Sequence, residues 1–303
     1  MHGRGDRGAP RRSRLIWFLL SLAAALTQAA QFAVVKGRAR AIPPLVIVAW
    51  TQSVAGTTWA LYFLASGRPF TPPGGDVWSA IVASWFLVLG MSGLLARASA
   101  RGDISIVGPI LALSPLFTIV PDAALSGGLP SALGWIGLGL SLAGTVSLSG
   151  DGVGRLGRLR ALFSRPDALD ALGAAFFLGF LAAVDRYGAR TIGPPSYLLF
   201  AHGGAALVAA LVALATTPRG FGASFAPRNL VTVVGHGLLG VTGTGMQTSA
   251  LTLAPATYVN AIRRMSAVLA VLLGRALFAE PDLARRLTAA LLACAGAACL
   301  LLA

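Results

Sequence analysis

The side chains that could carry chemistry in this chain are polar groups placed inside long apolar stretches. Arg263 and Arg264 lie about nine residues into the stretch that begins at Ala254, roughly 13 Å along a helix. Adjacent helical positions are about 100° apart, so one guanidinium can face a cavity while the other packs or snorkels. Such a cation would attract an anionic or zwitterionic molecule. The alternative is a structural ion pair or carbonyl contact, with Asp122 and Asp185 as possible counter-charges.

Neutral amides, imidazoles and one indole form the second group of candidates. A substrate cavity needs a few donors and acceptors on an apolar wall, although the same groups could instead form hydrogen bonds between helices. The histidines titrate near neutral pH and are candidates for proton coupling, with a hydrogen-bonded structural role as the alternative. The candidate substrate-binding residues are Gln28, Gln31, Trp50, Gln52, His202, His236, Asn260, Arg263 and Arg264.

Patterns typical of enzymes are missing from the sequence. It contains no P-loop, no His-Glu-x-x-His pair and no Gly-x-Ser-x-Gly elbow. Cys294 and Cys299 are five residues apart and point in different directions on a helix, so we interpret them as packing residues. We therefore expect no catalytic residue, no metal site and no cofactor, and we do not expect an enzyme.

The elements that must position these groups are ten apolar stretches, each about as long as a bilayer crossing. The chain is 56% hydrophobic and 11% charged, against about 25% charged for a soluble domain. Uniformly apolar stretches of this length predict helices and not barrel strands. The predicted fold is an all-α polytopic membrane protein with spans at 15–35, 44–66, 77–97, 104–124, 131–149, 168–186, 196–216, 230–250, 254–278 and 285–303.

Charge is concentrated between the stretches, and the formal net charge is +14. We expect anionic lipid headgroups as the partner of these arginines, and no nucleic acid. Residues 1–14 form a basic tail. The tail favours a cytoplasmic N-terminus, whereas the arginines summed over all loops favour the reverse orientation. A retained first helix fits the apolar run better than a cleaved signal peptide, which is the alternative.

The chain also divides into two similar halves. An Arg-rich connecting loop at 150–167 separates a first five-helix repeat at 15–149 from a second at 168–303. Gly37 aligns with Gly188 at an offset of 151 residues, and Ser114 aligns with Ser266 at an offset of 152. An odd number of spans per repeat inserts the second copy upside down. Inverted repeats are a recurring way to build a transporter that opens alternately to each face.

The second half carries a family resemblance. Leu253-Ala-Pro-Ala-Thr-Tyr258 is followed by a small-residue helix that contains Gly274 and ends at Glu280, and then by an apolar run with Gly296. This order resembles the ninth and tenth helices of the EamA family, in the drug/metabolite transporter superfamily.

The first half shows the same resemblance. Residues 104–150, with Gly108-Pro109 and Ser114-Pro115, are similar to the fourth and fifth helices of the repeat, and residues 32–44 to the first helix. The chain departs from the family at Gly128, where a glutamate is usual, and at Trp50, where members often carry an arginine.

The resemblance implies a basket of ten helices around a central cavity, and secondary transport of small organic molecules, with export as the commoner direction. We therefore expect a transporter of a small metabolite or drug-like molecule in the inner or plasma membrane, with proton or ion coupling as a possibility and the oligomeric state open. A lipid flippase or membrane enzyme is the alternative, and it would need a lateral opening and a catalytic group. A channel would need a continuous polar stripe.

Overall fold

The computed structural model describes residues 11–38, 42–101, 110–111, 113–127, 129–147, 166–266, 292, 295–296, 299–300 and 302–303. Within these residues the chain forms ten helices and no strand, so the all-α prediction is confirmed. The helices are α1 (Arg11–Arg38), α2 (Pro44–Ser66), α3 (Gly75–Arg101), α4 (Ser114–Ser126), α5 (Ala132–Ser147), α6 (Pro166–Ile192), α7 (Pro194–Thr216), α8 (Pro218–Ala223), α9 (Pro227–Leu253) and α10 (Ala256–Arg264).

Four stretches of the described helices are long and apolar enough to cross a membrane, by length and composition: Ser13–Gln31, Gly75–Leu95, Pro166–Ile192 and Pro194–Thr216. Shorter apolar helical stretches cover Ser114–Leu125 and Ala132–Ala143. These helices agree with a polytopic membrane protein. The total of ten spans stays a prediction.

Proline and glycine set the helix ends where the sequence predicts breaks. Pro44, Pro194 and Pro227 occupy the first turns of α2, α7 and α9. Proline suits this position because its missing N–H would have no partner there and its φ is already helical. Gly67 ends α2 at φ 62°, and Gly193 separates α6 from α7 at φ 81°, a conformation that glycine adopts without strain.

Most observed helix ends lie within four residues of the predicted spans, and two differences are larger. Helix α6 extends to Ile192, beyond the predicted end at 186. The short helix α8 lies in a segment that we predicted only as a break. In the fourth predicted span, residues 110–111 are helical and α4 begins at Ser114, while Pro109 lies outside the described residues. Residues 150–165 of the Arg-rich loop lie outside them as well, and so do Gly274, Glu280, Cys294 and most of the last predicted span.

The helices pack in pairs that relate the two halves. Helix α3 packs on α6 and α1 on α9, while α4 packs on α6 and α1 on α10. If α1 is exchanged with α6, α2 with α7, α3 with α9 and α4 with α10, the α3–α6 pair becomes the α1–α9 pair and the α4–α6 pair becomes the α1–α10 pair. The same exchange maps the α2–α7 pair and the α4–α10 pair onto themselves. Two inverted repeats would produce this pattern. The repeat boundaries stay a prediction, which the pairing supports.

Small residues allow the paired helices to approach closely. A Cβ atom added to Gly56 of α2 would lie 3.2 Å from the Cα atom of Gly203 of α7, so these two backbones are in contact. The Trp85 indole of α3 occupies the space over Gly204 of α7. Close contact between helices through small residues is typical of packing in membranes.

Both ends of the described chain lie at one end of the bundle, which we call the terminal end. Arg14 in the first turn of α1 donates a hydrogen bond to the carbonyl oxygen of Leu302 at 3.1 Å. Trp17 belongs to the same buried cluster as Ala254 and Tyr258, so the start of α10 is also at this end. An even number of crossings would bring the two ends together in this way.

Candidate functional site

Polar side chains of α1 and α10 meet inside the bundle. The Oε1 atom of Gln28 accepts a hydrogen bond from the Ser266 hydroxyl at 3.2 Å and a longer one from a terminal nitrogen of Arg264 at 3.5 Å. Arg264 is 8% exposed and Ser266 is 2% exposed. The structure thus brings together two of the predicted residues, Gln28 and Arg264, which are 236 positions apart in the sequence.

The guanidinium of Arg264 has an N–H donor that forms no hydrogen bond in the described structure. Its Nε atom is buried and has no hydrogen-bond partner among the described residues. Its contact with Gln28, at 3.5 Å, is at the outer limit of a hydrogen bond and goes to a neutral amide. Since a guanidinium carries five N–H donors, this group can take up a further acceptor.

Arg263, the adjacent arginine, has a different environment. It is partly buried, and its charge interacts with that of Asp185 on α6. One carboxylate oxygen of Asp185 accepts a hydrogen bond from the Tyr197 hydroxyl at 2.8 Å. Asp185, one of the two acids named as possible counter-charges, therefore acts on Arg263 electrostatically, without a salt bridge between them. The Nε atom of Arg263, like that of Arg264, is buried and has no hydrogen-bond partner among the described residues.

The other candidate acid, Asp122 of α4, pairs with an arginine that the sequence analysis missed. Arg186 of α6 donates to its Oδ1 atom at 2.7 Å, and the backbone N–H of Ala256 donates to its Oδ2 atom at 2.8 Å. The side chains of Arg186 and Asp122 are 9% and 5% exposed. The predicted end of the sixth span at residue 186 placed this arginine at the membrane surface, whereas α6 continues past it and buries it.

Asn260, the third predicted residue on α10, is held against α4. Its Nδ2 atom donates to the Thr118 hydroxyl at 2.9 Å, and that hydroxyl donates to the carbonyl oxygen of Ser114 at 3.0 Å. Both Asn260 and Thr118 are fully buried. This geometry is an interhelical hydrogen bond, the alternative that the sequence analysis left open for such amides.

Two further clusters contain the remaining predicted amides and both histidines. Between α1, α2 and α9, Gln31 donates to the carbonyl oxygen of His236 at 3.2 Å, and the His236 ring hydrogen-bonds the Thr51 hydroxyl at 2.9 Å. Between α2 and α7, the Nδ1 atom of His202 hydrogen-bonds Oε1 of Gln52. The other ring nitrogen of His202 is buried and has no partner in the described structure.

Trp50 contacts the segment around α8. Its indole N–H donates to the Ser224 hydroxyl at 2.8 Å, and its ring packs edge-on against Phe225 with centroids 5.4 Å apart. Trp50 lines a cavity of about 160 Å³ whose other walls are Ala49, Ser53, Ala210, Phe221 and Phe225. This cavity lies between α2, α7 and the α8 segment, and its lining includes none of the other predicted site residues.

No cluster of three metal-ligating side chains occurs among the described residues. The expectation that the protein needs no metal or cofactor stays a prediction. The polar arrangement supplies hydrogen-bond donors and acceptors and the positive charge of Arg263 and Arg264; substrate binding by these residues stays a prediction.

The comparisons with known proteins agree with the fold and with the family resemblance. Residues 15–150 match the model of the EamA-like transporter family. No curated protein matches the chain significantly. A solved structure, titled only as the crystal structure of a protein, is 21% identical with a TM-score of 0.73, and the match covers 95% of this chain and 97% of that one. At this identity the likeness shows the fold alone.

Proposed function

We propose that this chain, which belongs to the EamA-like transporter family of the drug/metabolite transporter superfamily, exports a small metabolite or drug-like molecule by alternating access. A multi-pass membrane transporter with a small-molecule substrate and a lipid environment follows from the family match and the apolar helices. Four statements go beyond this and belong to the proposal: the direction of export, the alternating-access mechanism, a location in the inner or plasma membrane, and coupling to protons or ions.

The observation that carries the proposal is the buried guanidinium of Arg264 beside Gln28. A cation inside a membrane protein is costly, and such groups usually mark a substrate or ion pathway. A guanidinium with a purely structural role would be expected to pair with a carboxylate, as Arg186 does with Asp122 although its Nε atom also has no partner in the described structure. Arg264 forms no salt bridge within the described residues, which supports a role in binding.

The position of this pair supports alternating access. Gln28 belongs to the first half of the chain and Arg264 to the second, so relative movement of the halves would open or close the space between them. At the terminal end, Asp122 of the first half contacts Arg186 and Ala256 of the second. An opening at that end would have to separate these groups.

Transport by the purified protein in liposomes tests the proposal. Counterflow would be measured without ATP for labelled amino acids, nucleosides and cationic dyes, with and without an imposed pH gradient. We expect exchange of at least one solute class, and loss of that exchange in Arg264→Ala at unchanged protein yield. Arg228→Ala is the matched control because Arg228 is exposed at the start of α9. Strict dependence on ATP, or equal rates in both variants, would contradict the proposal.

The same liposomes test the alternative function. Flipping of a headgroup-labelled lipid without exchange of any solute would favour a lipid flippase. Fractionation of cells that express the tagged protein tests the proposed location.

A further inference from the structure

We infer that the substrate carries a carboxylate, which binds to the Nε edge of the Arg264 guanidinium. The inference rests on the proposed function, and it adds the chemical class of the substrate to it. It comes from the charge balance and the hydrogen-bond geometry of the buried arginines.

The charge balance leaves a positive charge unmatched. Arg186 pairs with Asp122 at 2.7 Å, whereas Arg263 forms no salt bridge among the described residues and only feels the charge of Asp185 at longer range. In the part of the chain that the structure describes, no carboxylate pairs with Arg264. The charge of the adjacent Arg263 repels it. A buried positive charge without a partner is strongly unfavourable, so an arriving anion would be attracted to this position.

The geometry fits a carboxylate in particular. A guanidinium binds a carboxylate through two parallel N–H···O bonds, which need two donors on one edge. The Nε atom of Arg264 has no partner, and its terminal nitrogen holds only the 3.5 Å contact with Gln28. A carboxylate could replace the amide oxygen at that nitrogen, because a charged acceptor forms the stronger bond. Gln28 would keep its hydrogen bond from Ser266.

A single negative charge is the best match. A doubly charged phosphate would leave a net negative charge in the membrane interior, which is costly. An ammonium group on the same substrate would need an acid of its own. Asp122 is engaged by Arg186 and Ala256, and Asp185 by Tyr197 and the charge of Arg263. We therefore expect the carboxylate to be required and an amino group to add little.

Four compounds that share one carbon skeleton separate the carboxylate from the amino group. They are 4-methylpentanoate, 4-methylpentanamide, leucine and leucinamide, and a second set replaces the aliphatic group with phenyl. Stabilisation of the full-length protein against heat in detergent reports binding, and exchange in liposomes reports transport. We expect each acid to bind about tenfold to a hundredfold more tightly than its amide, the range given by charged hydrogen bonds.

Equal binding of acid and amide, or binding of neither acid, would overturn the inference. Exchange of another solute class in the wider transport panel would still uphold the transport function. If no solute is exchanged in either panel, the proposed function fails and the inference falls with it.

Two variants on α1 test the geometry without removing Arg264. Gln28→Glu places a carboxylate beside the guanidinium, so we expect it to raise the unfolding temperature and to reduce acid binding at least tenfold. Gln31→Glu is the matched control one turn away, where the native amide donates to a carbonyl oxygen and a carboxylate cannot. Unchanged acid binding in Gln28→Glu, or the same stabilisation in both variants, would overturn the assignment.

Discussion

The buried ion pair at the terminal end makes the stability of this protein sensitive to one carboxylate. Asp122 uses both oxygens, one for Arg186 at 2.7 Å and one for the N–H of Ala256 at 2.8 Å. In Asp122→Ala, Arg186 stays buried but loses the carboxylate that pairs with it. Its Nε atom already lacks a hydrogen-bond partner among the described residues. The first turn of α10 also loses a charged acceptor at its N-terminus, where negative charge is favourable.

The magnitude follows from this geometry. Breaking a buried pair by removing one partner costs about 3–5 kcal/mol, and most of that cost is the burial of the remaining charge. For a chain of this size, such a loss corresponds to a decrease in Tm on the order of 5 °C or more. Thermal unfolding of the purified protein in detergent, followed by size-exclusion chromatography of the heated samples, measures it.

An ion pair with one exposed partner provides the comparison. Arg97 pairs with Asp170 at 3.3 Å, and their side chains are 58% and 10% exposed. Because water and salt screen the exposed guanidinium, Arg97→Ala should lower the Tm less than Asp122→Ala does.

The double variant Asp122→Leu with Arg186→Met separates the buried charge from the loss of contacts. Replacing a whole buried pair by apolar residues is often neutral or stabilising, so this variant should be more stable than Asp122→Ala. The reasoning is refuted if Asp122→Ala is no less stable than Arg97→Ala. It is also refuted if the double variant is the least stable of the three.

Further predictions concern packing, hydrogen bonding and topology. Gly134→Ala should lower the Tm clearly, because the new Cβ atom would overlap the Tyr258 hydroxyl; Gly139→Ala, which meets open space, should leave the Tm unchanged or raise it. Thr118→Val should cost about 1–3 kcal/mol of unfolding free energy, since it leaves the buried amide of Asn260 without its acceptor; Thr118→Ser should cost less, and equal losses would contradict this reason. Tags at the two ends of the chain should label from the same side of intact cells, and labelling from opposite sides would exclude an even number of spans.

The positions of the helices, and the residues at which most of them begin and end, were largely predictable from the sequence. The apolar stretches predict the helices because a lipid-exposed backbone must satisfy its own hydrogen bonds. Prolines mark the starts closely: α2 spans Pro44–Ser66 as predicted, and α7 begins at Pro194, two residues before the predicted start. The short helix α8 was not predicted, because six residues are too few to show the helical period of apolar residues.

The partners of the polar residues were much less predictable. The sequence places Gln28 and Arg264 at membrane depth, but their contact depends on how α1 packs against α10, 236 residues apart. Asp122 and Asp185 were named as counter-charges for the same two arginines. In the structure Asp122 pairs with Arg186 instead. Helical periodicity gives the face on which a side chain lies, and it does not identify the helix on the other side.

The three-way contact of Asp122 also imposes an order of events on synthesis. Its carboxylate is made 64 residues before Arg186 and 134 residues before Ala256. At about 5–20 residues per second, the ribosome needs roughly 3–13 s to supply the arginine. During that interval α4 carries an acid whose partner does not yet exist, so the helix is expected to stay close to the insertion machinery. Stable release of the first half into lipid would then wait for the sixth helix.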